Sequence, residues 1–321
     1  MITNIYISPS GVLTQSAEHS ATLAWVDILN PTPQERNEIE SERCITLPQR
    51  SELLQIEFSN RFYMEDGCIF MSVNLITKVS PMPETHMVTI IVTPKAILTV
   101  RYSNPNPIQS LIDQIDQKRF EIKNYLYVLV ILLESFVGKV ADIFELVGER
   151  SDQVVTMLVK SINNKLNKNH SEALTKVLRE INSLENLLSK GYQSLASINL
   201  LVGFYEQNDD EHQENYVIQN IDIVKKDVHS LLKHGEYLSQ KLGFHLQSTL
   251  GLINIEQTQI VKMFTVLAMV FLPPTLIASI YGMNFKFMPE LNSVFGYPMA
   301  ILFMVASTFV PYKFFKKKGW I

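Results

Sequence analysis

Residues 263–285 read MFTVLAMVFLPPTLIASIYGMNF, 23 residues without a charge, bounded by Lys262 and Lys286. A helix that crosses the hydrocarbon core of a bilayer needs about 20 mainly apolar residues. A second uncharged interval, LNSVFGYPMAILFMVASTFVPY at 291–312, runs from Glu290 to Lys313. Its first residues are polar and turn-forming, and it becomes solidly apolar near Tyr297. Spans are therefore expected at about 262–282 and 294–312, joined by a loop at 283–293. Length alone would also allow two buried helices of a soluble core. Two such runs side by side, both with interfacial flanks, favour the membrane. Pro273-Pro274 lies mid-span. Proline removes a backbone donor and crowds the preceding turn, so a kink or a local widening is expected there.

Charge sets the orientation. The chain has 321 residues and a formal net charge of -4. Residues 1–261 carry 22 Lys/Arg and 31 Asp/Glu, whereas residues 262–321 carry six Lys and one Glu. An acidic body argues against a nucleic-acid partner, which needs a clustered basic surface. Lys313, Lys316, Lys317 and Lys318 follow the second span, and Lys262 precedes the first. Lysines collect on the cytoplasmic side, so both termini are expected inside and the short loop outside. Tyr297, Tyr312 and Trp320 fall near the interfaces, where amphipathic rings prefer to sit. The N-terminal MITNIYISPSG has no basic segment followed by an apolar run, so no cleaved signal peptide is expected.

Proline marks the division of the body. Nine prolines precede residue 108, and the next is Pro273. The first part alternates strand-like runs with polar turns: TNIYIS, TLAWVDIL, LLQIEF, CIFMSVNLI, HMVTIIVT and AILTVRY. PTPQERNEIESE reads as a short helix with proline near its start and acids in its first turn. Residues 1–105 are expected to form an α/β domain with a mixed sheet. From about Asn106 the pattern turns helical, with long segments beginning near Asn124 and His170. A last segment runs from about Asn215 without a break into the first span. At 1.5 Å per residue it would be roughly 100 Å long. Its heptad-like leucine spacing suggests packing against other helices, including copies of itself. The expected class is thus α+β, with an N-terminal α/β domain, a helical stalk at 106–261 and a membrane domain at 262–321.

Catalytic chemistry is not legible. There is no G-x-G-x-x-G, no phosphate-binding G-x-x-x-x-G-K-[ST] and no H-E-x-x-H. Seven histidines are scattered, and Cys44 and Cys68 lack metal-ligand spacing. Neither an enzyme nor an ATP-driven pump is expected.

What remains is Gly282-Met283-Asn284. Glycine just past a helix is a common cap, and asparagine tolerates left-handed geometry. On the residues alone, a helix terminator and a functional amide are both open. YGMNF followed by MPEL, between two C-terminal spans and after a long helical body, resembles the CorA family of magnesium transporters. GLINIEQ before the span resembles its bacterial branch. The resemblance covers the whole chain in architecture and about 250–321 in close motif.

That resemblance implies a funnel-shaped homopentamer in a bacterial inner membrane, a gated channel for Mg²⁺ that also passes Co²⁺ or Ni²⁺. Gly282, Met283 and Asn284 would form the selectivity filter, with Gly282 allowing the turn that aims Asn284. Counting back at helical spacing gives Ser279, Thr275, Leu272, Ala268, Phe264, Val261 and Thr258 as pore-lining or gate positions. Relatives often carry Asn where this chain has Thr258. Glu290 on the outer loop would attract cations and offset Lys286. Asp222 and Asp227 are candidate ligands for a regulatory Mg²⁺, and the Asp209-Asp210-Glu211 cluster with Glu214 would concentrate cations by its field. The rival readings are a zinc transporter of the same architecture and a non-conducting, membrane-anchored coiled-coil scaffold.

Overall fold

A computed structural model describes residues 1–16, 21–51, 61–79, 82–115, 120–163, 170–208, 215–284, 286, 288–289 and 295–320. The chain divides into two compact units, Met1–Leu246 and Gln247–Ile321.

The first unit is built on a seven-stranded sheet. Its strands are β1 (Ile2–Ile7), β2 (Leu13–Thr14), β3 (Thr22–Leu29), β4 (Phe62–Glu65), β5 (Cys68–Lys78), β6 (Glu84–Val92) and β7 (Ile97–Arg101). The order is β2-β1-β3-β7-β6-β5-β4. β3 and β7 pair in parallel and the other neighbours are antiparallel, so the sheet is mixed as expected. The short edge strands β2 and β4 carry too little periodicity to be read from sequence. The expected strand LLQIEF lies outside the described residues.

Between β3 and β4 lies α1 (Pro33–Arg43). Its start follows from local chemistry: Thr32 accepts from the Glu35 amide at 3.2 Å, and the Thr32 amide donates to Glu35 Oε2 at 2.8 Å. Two otherwise orphaned donors are satisfied at once, with Pro33 where no donor is needed. Ile39 of α1 packs with Val26, Ile28, Phe70, Ile91, Leu98 and Val100 on one face of the sheet.

Four long or medium helices follow: α2 (Asn106–Ile115), α3 (Tyr127–Asn163), α4 (His170–Asn208) and α5 (Asn215–Tyr281). α4 lies against β5, where Ser197 Oγ accepts from the Asn74 amide at 3.0 Å. α3 supplies a nearly continuous buried run, Val128 to Leu133. α5 passes through both units as one 67-residue helix, and it continues without interruption through Pro273 and Pro274. The second unit adds α6 (Gly296–Lys317). The C-terminal end of α5 and the whole of α6 are each long and apolar enough to cross a membrane.

Candidate ion-conducting site

The C-terminal end of α5 has two distinct sides. Lys262, Val266, Val270, Pro273, Ile277 and Tyr281 are half-buried. At 100° per residue they form one stripe about 100° wide. Lys262, Val266 and Val270 line a cleft with Tyr312 and Trp320, which fixes this side as the one toward α6. Thr258, Val261, Phe264, Ala268, Leu272, Thr275 and Ser279 are all exposed in the single chain. They fall within an arc of about 120°, centred about 150° around the helix from the first stripe. Thr265 falls inside that arc but is half-buried, and its hydroxyl donates to Val261 O at 2.8 Å.

Along the exposed arc the hydroxyls are turned onto the helix. Thr258 Oγ1 donates to Asn254 O and Thr275 Oγ1 to Phe271 O, each at 2.7 Å. Each hydroxyl thus keeps its acceptor lone pairs outward while its proton is used. Leu272 and Phe264 are 64% and 60% exposed, bulky apolar groups with no cover in the protomer.

The helix ends without a left-handed cap. Gly282 donates to Ala278 O at 3.0 Å and Met283 to Ile280 O at 3.3 Å. Gly282 and Asn284 are absent from the described residues with positive φ. A Cβ at Gly282 would come to 3.2 Å from Ala278 O, a tight contact. Met283 and Asn284 then stand exposed beyond the last turn. Glu290 lies outside the described residues, as do Asp209, Asp210, Glu211 and Glu214.

Asp222 and Asp227, both exposed, sit on the first unit's part of α5. Among the described residues no three His, Cys, Asp or Glu groups converge to hold a metal within the protomer. One acid missed in the sequence belongs beside Asp227. Glu134 on α3 has its carboxyl pKa raised, first by partial burial and then by the Asp227 charge. Nearby, Tyr127 of α3 and Tyr216 of α5 bring their rings to 5.4 Å. Burial and that partner push the Tyr127 hydroxyl up to about 12. No sequence signal identified Glu134, because the cross-helix register that pairs it with Asp227 is set by packing.

Two helices long and apolar enough to cross a membrane, the first with an exposed face, fit a membrane protein. The model of the CorA-like Mg²⁺ transporter protein family matches residues 20–317, and the chain belongs to that family, whose members are ion transporters and not enzymes. It is 32% identical over 301 residues to a magnesium transport protein CorA of Haemophilus influenzae, covering 94% of this chain and 93% of the relative. It is 31% identical over 299 residues to that of Escherichia coli K12, covering 92% of each. The complete CorA magnesium transporter structure from Methanocaldococcus jannaschii superposes with a TM-score of 0.76 at 19% identity, covering 99% of this chain and 98% of the other. The cytoplasmic domain of ZntB from Vibrio parahaemolyticus superposes over 79% of this chain and 98% of its own, with a TM-score of 0.57 at 11% identity. Both superpositions speak to the fold.

Proposed function

We propose that the chain assembles as a homopentamer in the inner membrane of a bacterium, with both termini inside, and admits hydrated Mg²⁺ through a gated central pore. The observation that carries this reading is the free arc of α5 opposite the side covered by α6. If five copies bring that arc to one axis, Thr258, Val261, Phe264, Ala268, Leu272, Thr275 and Ser279 line the passage, and Asn284 stands at its outer mouth. The domain division of the reading is 1–105, 106–261 and 262–321.

The chemistry of the ring suits the ion. Mg²⁺ surrenders water reluctantly and keeps several waters in most sites. Five neutral amide oxygens hydrogen-bond that water without stripping it, and they release the ion more readily than carboxylates would. Co²⁺ and Ni²⁺ are further cargoes of this reading. Influx needs no ATP. A divalent ion entering at about -100 mV gains roughly 4.6 kcal/mol, twice the single-charge value.

Closure would come from internal Mg²⁺ held between chains. Asp222 and Asp227 remain the candidate ligands, and Glu134 joins them because it already shares a field with Asp227. A divalent ion there would remove the repulsion between the two carboxylates.

Uptake of Mg²⁺ into proteoliposomes loaded with a fluorescent indicator tests the reading. Wild-type protein is expected to conduct, and Asn284→Ala to lose at least tenfold of the flux, a change of about 1.4 kcal/mol or more in the barrier. Undiminished flux in that variant would remove Asn284 from its role. No flux in the wild type would leave the scaffold reading, and competition by Zn²⁺ above Mg²⁺ the zinc reading.

A further inference from the structure

The chain beyond α6 folds back. Gly319, at φ 68°, reverses its direction, and the Trp320 amide donates to Phe315 O at 3.1 Å. The Trp320 ring comes to 5.3 Å from Phe315, and Lys262 Nζ of α5 lies 5.6 Å from the Trp320 ring centroid. Between the two helices this leaves a cleft of about 690 Å³. Met263, Val266, Leu267 and Val270 form its apolar wall, while Lys262, Tyr312 and Trp320 gather at one end. Lys316 does not line the cleft, but its Nζ stands 5.9 Å from the ring of Tyr312, which does.

We infer that this cleft holds one anionic glycerophospholipid of the cytoplasmic leaflet. Lys262 and Lys316 take its phosphate, and one acyl chain lies along Met263 to Val270. The inference rests on the membrane orientation proposed above and deepens it.

The lining has the polarity of that molecule. Its apolar wall extends about 10 Å along α5, in the direction of the hydrocarbon core. Its cation and amphipathic rings lie only at the end that the orientation places at the headgroups. A soluble anion would use the charged end and leave the wall idle. Among the described residues no carboxylate lines the cleft. From Lys262 to the C-terminus the sequence holds five further lysines and one acid, Glu290, which belongs to the connection between the helices. Glu256, the other acid of this unit, lies six residues and about 9 Å before Lys262 along α5, so the basic end is open to an anion from outside the unit. Basic pockets between membrane helices on the cytoplasmic side suit anionic headgroups for the same reason. Lysine stems also reach along apolar surface while the ammonium stays at headgroup level.

Trp320 supplies the probe, because the chain's other tryptophan, Trp25, is fully buried in the sheet. The full-length protein is placed in phosphatidylcholine vesicles with chain-brominated phosphatidylglycerol or chain-brominated phosphatidylcholine at equal mole fraction. Trp320→Phe gives the Trp25 background. The brominated phosphatidylglycerol is expected to quench the Trp320 signal about twofold more strongly, as an anionic-lipid site requires. The double variant Lys262→Gln, Lys316→Gln should bring the two lipids level. Equal quenching in the wild type overturns the site, and so does a preference that survives in the double variant. Relief of quenching by millimolar inorganic phosphate would assign the end to a free anion instead. Equal quenching with Mg²⁺ uptake intact removes the lipid site and leaves the transport reading standing. Quenching by neither lipid overturns both the site and the placement of α6 beneath it.

Discussion

Arg101 Nη2 donates to Asp27 Oδ2 at 2.7 Å, with both side chains 2% exposed. Arg101 Nε also reaches Oδ1 and Oδ2, at 3.0 and 3.1 Å. Thr99 Oγ1 donates to Oδ1 at 2.7 Å and accepts from Trp25 Nε1 at 3.0 Å. The network spans β3 and β7, the parallel pair among the described strands, where Asp27 stands opposite Thr99. Replacing both partners of such a pair by apolar groups is often neutral, but removing one strands a buried charge. Asp27→Ala is therefore expected to cost about 3–5 kcal/mol. Denaturant unfolding of the full-length protein checks this, and a cost below about 1 kcal/mol would mean water reaches Arg101.

Phe144 of α3 is gripped between two glycines. A Cβ on Gly191 of α4 would overlap its ring, and one on Gly235 of α5 would lie 2.8 Å from the ring and 2.7 Å from Tyr192. Two effects oppose each other in Gly235→Ala. Helix propensity would gain about 1 kcal/mol, and overpacking would cost about 1–3 kcal/mol. The flanking rings are both confined, so overpacking is expected to win and the melting temperature to fall. Adding Phe144→Leu should recover part of the loss; failure to do so would place the strain elsewhere.

The order of the elements was legible because it rests on local pattern. The strand-like run TLAWVDIL coincides with the eight residues of β3, and the helix expected from Asn215 into the first span is α5. β2, with two residues, is too short for a period to register. The exposed arc of α5 followed from counting at helical spacing, whereas the side facing α6 depended on which residues α6 covers. The Glu134–Asp227 and Lys262–Trp320 relationships join residues 93 and 58 positions apart. Such pairs are fixed by packing and leave no mark in either local sequence. Gly282 shows the opposite case: its place after the helix was plain, whereas its φ, which is not positive, and the 3.2 Å that a Cβ would leave to Ala278 O are set by the fold.

His245 gives the first unit an acid-sensitive point. It is 6% exposed on α5, near Lys241, whose Nζ bonds Asp152 Oδ1 of α3 at 2.7 Å. Burial lowers its pKa, the Lys241 charge lowers it further, and Asp152 opposes both. The unfolded chain therefore takes up the proton before the folded one does. Stability is expected to fall as pH drops below about 6.5 and to go on falling until the folded imidazole itself is protonated. Thermal melts at about pH 7.5 and 5.5 should show a drop that His245→Gln reduces. An unchanged pH dependence in that variant would assign the drop to other groups.

Leu272 tests which side of α5 would meet the ion in the proposed pore. Five copies of its exposed side chain on one axis would form an apolar ring that shuts the passage by excluding water. Leu272→Asn would supply hydrogen-bonding groups at that ring and keep it wet. Uptake of Mg²⁺ into proteoliposomes is expected to rise severalfold, with weaker inhibition by Mg²⁺ on the inside. Ile277 is the matched control, half-buried on the stripe turned toward α6. An amide buried there without a partner costs stability, about 1–3 kcal/mol, but it opens no passage. Ile277→Asn should therefore lower the melting temperature without raising flux. If Ile277→Asn raised uptake and Leu272→Asn did not, the conducting face would lie on the other side of the helix, and the residues assigned to it from Thr258 to Ser279 would have to be exchanged for those now placed against α6.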